Sequence, residues 1–259
     1  MVGELHGKVA LVTGAGTGIG RATALALAER GASVLVHYAR SKEDAELVAK
    51  LCQDLGTQAH ALQADFKDRA SLAPLAEAAE GHWGHVDILV NNAGMMEKAV
   101  DPKTQGGDFG HHLAMWDTVM DVNVRAPYEL TWRLSKSMKT RGSGCVVNVA
   151  SVAGMYALTD APLYSMSKAA LLHFTRQAAQ MYAPHIRVNA IAPGWTETGF
   201  GGGHILDPGF QKAISKHIPM RRLATTEEIA DAIVWLCMGA SYVTGQVLSV
   251  DGGMVSELR

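Results

Sequence analysis

Short apolar runs alternate along the chain with longer stretches in which apolar residues recur every three or four positions. The runs at 9–12, 34–36, 59–62, 86–90, 145–149, 188–191 and 247–250 read as seven short strands. They are rich in valine and isoleucine, and several are apolar without alternation, as strands buried on both faces should be. Between them, 18–30, 42–55, 69–81, 115–139, 163–182 and 226–237 carry helical spacing. Strand–helix alternation repeated this often predicts an α/β fold, a seven-stranded parallel sheet with helices on both faces. Right-handed crossovers make that sheet doubly wound, of the Rossmann type. Two long loops, 95–113 and 196–219, follow strands four and six. Both leave the carboxyl ends of strands, where ligands bind in open α/β sheets.

Composition narrows the function classes. A chain of 259 residues with 48% hydrophobic content can bury a large core, and no linker or repeat divides it. A single domain over 1–259 is expected. The net charge of −2 argues against a nucleic-acid partner. Cys52, Cys145 and Cys237 are odd in number and widely spaced, so neither a disulfide framework nor a metal knuckle is expected. The first eight residues hold no apolar stretch of signal-peptide length, and no run is long enough to span a bilayer. A cytoplasmic protein without metal or membrane partner is the expectation.

The first strand runs into Thr13-Gly14-Ala15-Gly16-Thr17-Gly18-Ile19-Gly20, and a helix follows at once. Glycines let the backbone turn sharply and approach a pyrophosphate, and the helix start offers free N–H groups and a positive dipole end. This is the context that marks a dinucleotide fingerprint. The second strand ends in Tyr38-Ala39-Arg40-Ser41, without the acidic residue that commonly grips the ribose of NAD. Arg40 and Ser41 suit a 2′-phosphate, so NADP(H) is favoured over NAD(H). Asp65, at the end of strand three, suits either the adenine amino group or a helix cap.

Tyr164 and Lys168 stand four apart within a helical stretch and therefore share a face. A nearby ammonium favours the tyrosinate, so the pair predicts a tyrosine tuned for proton transfer to or from a carbonyl or alcohol oxygen. Ser151 ends strand five and can hold the substrate oxygen. Asn123 sits mid-helix, where asparagine is a poor former, and calls for a functional role or a local distortion. Asn91-Asn92-Ala93-Gly94 closes strand four, and Pro193-Gly194-Trp195-Thr196-Glu197-Thr198 closes strand six. All converge on one crevice. Trp195, Phe200 and Phe210 suggest an apolar wall for the substrate.

These motifs, with Val250-Asp251-Gly252-Gly253 near the end, resemble the short-chain dehydrogenase/reductase family from Lys8 to Gly253, in its ketoreductase-like branch. The step of 13 residues from Ser151 to Tyr164 is the family's usual one. The resemblance implies a catalytic tetrad of Asn123, Ser151, Tyr164 and Lys168. Tyr164 exchanges the proton, and Ser151 orients the carbonyl. Lys168 lowers the tyrosine pKa and binds the nicotinamide ribose, while Asn123 holds a water. The implied cofactor residues are Gly14, Thr17, Gly18, Ile19, Gly20, Tyr38, Arg40, Ser41, Asp65, Phe66, Asn92, Ala93, Gly94, Tyr164, Lys168, Pro193, Gly194, Thr196 and Thr198. The resemblance also implies a homotetramer built on the helices containing Asn123 and Tyr164.

Three departures stand out. Thr17 replaces a basic residue that many NADPH enzymes carry in the glycine loop. Gln180 stands near where carrier-protein reductases tend to place an arginine for docking. The loop 95–113 is long and carries His111 and His112, which lack metal-ligand spacing. The expected activity is hydride transfer between NADP(H) and a small carbonyl or alcohol. An NAD-dependent sugar-alcohol or steroid dehydrogenase, a 3-ketoacyl-carrier-protein reductase and a non-catalytic dinucleotide sensor are the alternatives.

Overall fold

The strands are β1 (Val9–Val12), β2 (Ser33–Tyr38), β3 (Ala59–Gln63), β4 (Ile88–Asn91), β5 (Gly144–Val149), β6 (Ile186–Pro193) and β7 (Val247–Val250). In the computed structural model, which describes residues 4–97, 109–156, 161–200 and 203–257, they form one parallel sheet in the order β3-β2-β1-β4-β5-β6-β7. All four residues of β1 are buried, because helices cover both faces of the sheet. Ala10, Val12, Val34, Val36 and Val90 face one layer of core, under α1 (Gly18–Glu29), α2 (Lys42–Asp54) and α8 (Thr226–Met238). Val9, Leu11, Leu35 and Leu89 face the other, under α3 (Leu72–Trp83), α5 (Ala126–Thr140) and α6 (Pro162–Tyr182). Truncating one such side chain, fully buried Leu89, to alanine would cost about 3 kcal/mol.

The order places the site. From β1 the chain turns to β2 and β3 on one side, then returns to β4 and continues the other way. That reversal opens a crevice at the carboxyl ends of β1 and β4. Buried polar contacts tie the central strands to the helices behind them. Asn91 donates to Asn148 at 2.8 Å, and Asn148 donates to Thr175 of α6 at 2.9 Å.

Several elements differ from the expectation. The first turn of 69–81 is a 3₁₀ turn, Arg69–Ser71, ahead of α3. The single helix expected over 115–139 is α4 (Phe109–Met120), a π-turn at Asp121–Arg125, and α5. Local distortion thus accounts for Asn123, which sits in the π-turn. The expected loop 95–113 is helical from Phe109 onward, and its stretch 98–108 lies outside the described residues. His111 and His112 fall in α4, with side chains outside the described residues. The expected loop 196–219 holds α7 (Pro208–Ser215), started by the Asp207 side chain accepting from Phe210 N at 2.8 Å. An eight-residue helix carries too few turns for its periodicity to stand out.

Candidate active site

The glycine loop is locked between strand ends. Gly14 and Gly18 adopt φ of +61° and +55°, which favour glycine. A Cβ on Gly20 would lie 2.2 Å from Gly14 O and 2.5 Å from Asn92 Nδ2, so no side chain fits. Thr13 Oγ1 accepts from the N–H groups of Asn92 and Ala93, both at 2.9 Å. Asn92 Nδ2 donates to Thr13 O and Gly14 O at 2.9 and 3.1 Å. Thr17 begins α1 without capping it, so no side chain competes with an anion for its first N–H groups.

His37, at the end of β2, supports this loop from below. Its Nδ1 accepts from Gly14 N at 3.1 Å, and its Nε2 donates to Ala64 O at 2.9 Å. The ring stacks on Phe66 at 4.4 Å. Burial pushes its pKa down to about 4, so the imidazole is neutral and can accept at Nδ1.

At the other end, Ser151 leaves β5 in extended backbone and Tyr164 lies in the first turn of α6. The Ser151 hydroxyl accepts from Ala153 N at 3.1 Å and lines the same cavity as the Tyr164 phenol, whose pKa it pulls down. Lys168 follows one turn later, with Nζ 5.6 Å from the Tyr164 ring centre, and donates to Val149 O at 2.8 Å. Sequence reasoning has Lys168 lowering the tyrosine pKa. In the structure burial dominates instead: it pushes the phenol up to about 12, opposed by the Ser151 hydroxyl and helped by the charge of Glu97. Burial likewise pushes the ammonium down to about 8. Both groups are desolvated by the surrounding protein.

Asn123 is fully buried and bridges three segments. Its Oδ1 accepts from Met95 N at 2.8 Å, and its Nδ2 donates to Met95 O and Ser167 Oγ at 2.8 and 2.9 Å. A Cβ on Gly94 would stand 3.4 Å from Lys168 Nζ and 3.5 Å from Asn123 Oδ1. Gly94 thus keeps the approach to Lys168 open.

One cavity of about 880 Å³ joins the two ends. It is lined by Gly14, Thr17, Gly18, Ile19, Arg40, Asp65, Phe66, Asn92, Ala93, Gly94, Ser151, Tyr164, Lys168, Pro193, Gly194, Thr196 and Thr198. Strand order sets these along the crevice, with Asp65 and Arg40 at the β3–β2 end and Ser151 and Pro193 at the β5–β6 end. Four expected residues lie off the lining. Gly20 and Asn123 act from behind it. Tyr38 is a correction: it is buried in the core under α1 and α2, because alternation along β2 turns His37 and Ala39 to the cavity instead. Ser41 is exposed and its carbonyl accepts from Ala45 N in the first turn of α2. As for a cap, Asp68 rather than Asp65 caps the 3₁₀ turn.

Lys67, His37 and Glu97 escaped sequence reasoning. Lys67 adds a second cation to the cavity that Arg40 lines. Trp195 and Phe200 line the substrate end, whereas Phe210 packs edge-on behind Trp195 at 5.4 Å. With Ile205, Ile218 and Leu223, Trp195 and Phe210 form a small separate core in the segment after β6.

The cavity suits an extended dinucleotide. Its volume lies near the top of the range of roughly 300–1,000 Å³ for small-molecule sites, and its middle is backbone and glycine where a pyrophosphate would lie. The comparisons agree. The family model described as enoyl-(acyl carrier protein) reductase matches residues 14–255. The cis-4-hydroxycyclohexanecarboxylate dehydrogenase of Sinomonas cyclohexanicum is 38% identical over 248 residues, 95% of this chain and 96% of that one. A solved structure of a putative NAD(P)-dependent gluconate 5-dehydrogenase from Beutenbergia cavernae, with bound NADP, is 36% identical. It covers 98% of both chains at a TM-score of 0.87. A 7α-hydroxysteroid dehydrogenase solved with NADH and 7-oxoglycochenodeoxycholic acid is 35% identical, covering 98% of this chain and 97% of that one, at a TM-score of 0.86. The chain belongs to the short-chain dehydrogenase/reductase family. It is an oxidoreductase that transfers hydride between a nicotinamide dinucleotide and a carbonyl or alcohol. Among the described residues no helix is long and apolar enough to cross a membrane, and no cluster of three His, Cys, Asp or Glu could hold a metal.

Proposed function

We propose that the chain is an NADP(H)-dependent carbonyl reductase or alcohol dehydrogenase with Tyr164 as its general acid and base. The observation that carries this is that Ser151, Tyr164 and Lys168 line one end of a cavity whose other end reaches Arg40. Ser151 holds the substrate oxygen beside the phenol. Tyr164 gives that oxygen a proton in reduction and takes one in oxidation. Lys168 holds the nicotinamide ribose, and Asn123 fixes Lys168's surroundings and a water. When bound, the nicotinamide supplies or accepts the hydride.

Arg40, with Lys67 on the same cavity lining, supports recognition of a 2′-phosphate by charge-assisted bonds. Trp195, Phe200, Met96 and Ile205 on the cavity wall support an apolar ketone over a sugar. Exposed Trp116 on α4 and Tyr128 and Trp132 on α5 support a homotetramer, which sedimentation would measure. The deciding experiment is Tyr164→Phe, assayed by NADPH oxidation against cyclic ketones, ketosteroids, ketoacyl thioesters and sugars. Turnover should fall by about 10³-fold with dinucleotide binding retained; normal turnover in that variant overturns the proposal.

A further inference from the structure

Glu97 is a buried carboxylate that the chemistry above leaves unused. It follows β4 in the segment after Gly94 and is 1% exposed. A buried charge is costly unless strong partners hold it. Its partners are the N–H groups at the start of α6. Glu97 Oε1 accepts from Leu163 N at 2.6 Å, and Oε2 accepts from Tyr164 N at 2.9 Å. The helix needs this. It starts at Ala161-Pro162, with no side-chain cap of its own, so the cap arrives from 67 residues earlier in the chain. A carboxylate also suits the positive end of the helix dipole.

The segment bearing Glu97 is itself held. Asn123 clamps Met95 through both its N–H and its carbonyl, and donates to Ser167 Oγ. Ser167 Oγ in turn donates to Tyr164 O at 2.7 Å. Glu97, Tyr164, Ser167, Asn123 and Met95 thus close a ring of contacts around the backbone of Tyr164. We propose that Glu97 is a positioning residue for Tyr164, clamping the amino end of α6 and placing its carboxylate against the Tyr164 backbone. This rests on Tyr164 being the proton-transfer group.

The groups that face Tyr164 decide the sign of the effect. Its own helix offers Lys168. The β5 side offers Ser151 and, on the same cavity wall, Tyr156. The segment after β6 offers Phe200, uncharged, at 5.7 Å between ring centres. The segment after β4 offers Glu97, the negative charge among these. Burial does most to raise the phenol pKa, and the Glu97 carboxylate adds to it by disfavouring tyrosinate.

The test is the pH profile of kcat/KM for alcohol oxidation, in which tyrosinate is the base and activity rises with pH. Glu97→Gln removes the charge, so the midpoint of that rise should move down by about one pH unit. Glu97→Asp keeps the charge but shortens the reach. Its midpoint should stay in place while kcat falls about tenfold from a displaced helix start. A Glu97→Gln profile that superimposes on the parent overturns the proposal, as does an equal shift in both variants. If Glu97→Gln does not fold, Glu97→Asp decides alone: a moved midpoint or an undiminished kcat refutes it. Full activity in Tyr164→Phe would instead remove the reading beneath it.

Discussion

At the β1–β3 end of the cavity the contacts are mostly backbone and glycine; at the β4–β6 end they are mostly side chains reaching across the fold. Gly14, Gly18 and Gly20 shape the first end, and even His37 serves there by accepting from a backbone N–H. The second end depends on Asn123 meeting Ser167, 44 residues away, and Glu97 meeting Tyr164, 67 away. Backbone geometry recognises what dinucleotides have in common, a pyrophosphate. Side chains set what varies, the proton transfer and the substrate. Alanine at a glycine in each end should therefore break different things.

Gly20→Ala should have the largest effect. Its Cβ would meet the Gly14 carbonyl at 2.2 Å, backbone against backbone, with no rotamer to relieve it. A cost of about 3 kcal/mol, appearing as roughly hundredfold weaker dinucleotide binding, is expected by fluorescence titration. Binding within threefold of the parent would show the loop to be softer than its contacts imply. Gly154→Ala is the counterpart. Its Cβ would stand 2.6 Å from the backbone carbon of Lys168 and push α6 away from Ser151. About 2 kcal/mol is expected, falling mainly on kcat, as a steady-state comparison would reveal. A loss confined to dinucleotide affinity would erase the distinction between the ends.

Arg40→Ala sharpens the comparison, because here a side chain adds specificity at the backbone-built end. Losing one charge-assisted contact to a 2′-phosphate should raise KM for NADPH by roughly tenfold to thirtyfold and leave NADH nearly unchanged. An unchanged NADPH-to-NADH ratio would assign the preference elsewhere, with Lys67 the next candidate.

The same division governs what could be read from the sequence. Local features were legible: β1 and β7 coincide end to end with their apolar runs, and the glycine loop declares itself in eight consecutive residues. The Ser151, Tyr164 and Lys168 group was legible because short spacing and strand ends bring it together. Tyr38 misled because a strand end gives the position but not which neighbour faces the ligand; the β2 alternation in fact points His37 there. Glu97 was illegible as a lone acid in a loop. The signal that could have found it lies elsewhere, in Ala161-Pro162, a helix start with no cap of its own. The opposed burial effects on Tyr164 and Lys168 depend on desolvation, which no spacing reports.

His37 gives the smallest effect and the finest division between the ends. It is held neutral at a pKa of about 4, against about 6.5 for an unfolded chain. Below pH 6.5 the unfolded chain takes up a proton that the folded one refuses. Stability from this group is therefore intact above pH 6.5 and is lost as pH falls toward 4. Between pH 7 and pH 5.5 the loss should be about 1 kcal/mol, or roughly 2–4 °C in Tm. His37→Asn offers an oxygen near the Nδ1 position but no proton to gain, so its Tm should fall less over that interval. Thermal melts of both proteins at the two pH values measure the difference. A gap between parent and variant that does not change with pH would mean the imidazole is not held neutral. The Gly14 N–H would then need another acceptor, and the backbone-built end would lose a side-chain support.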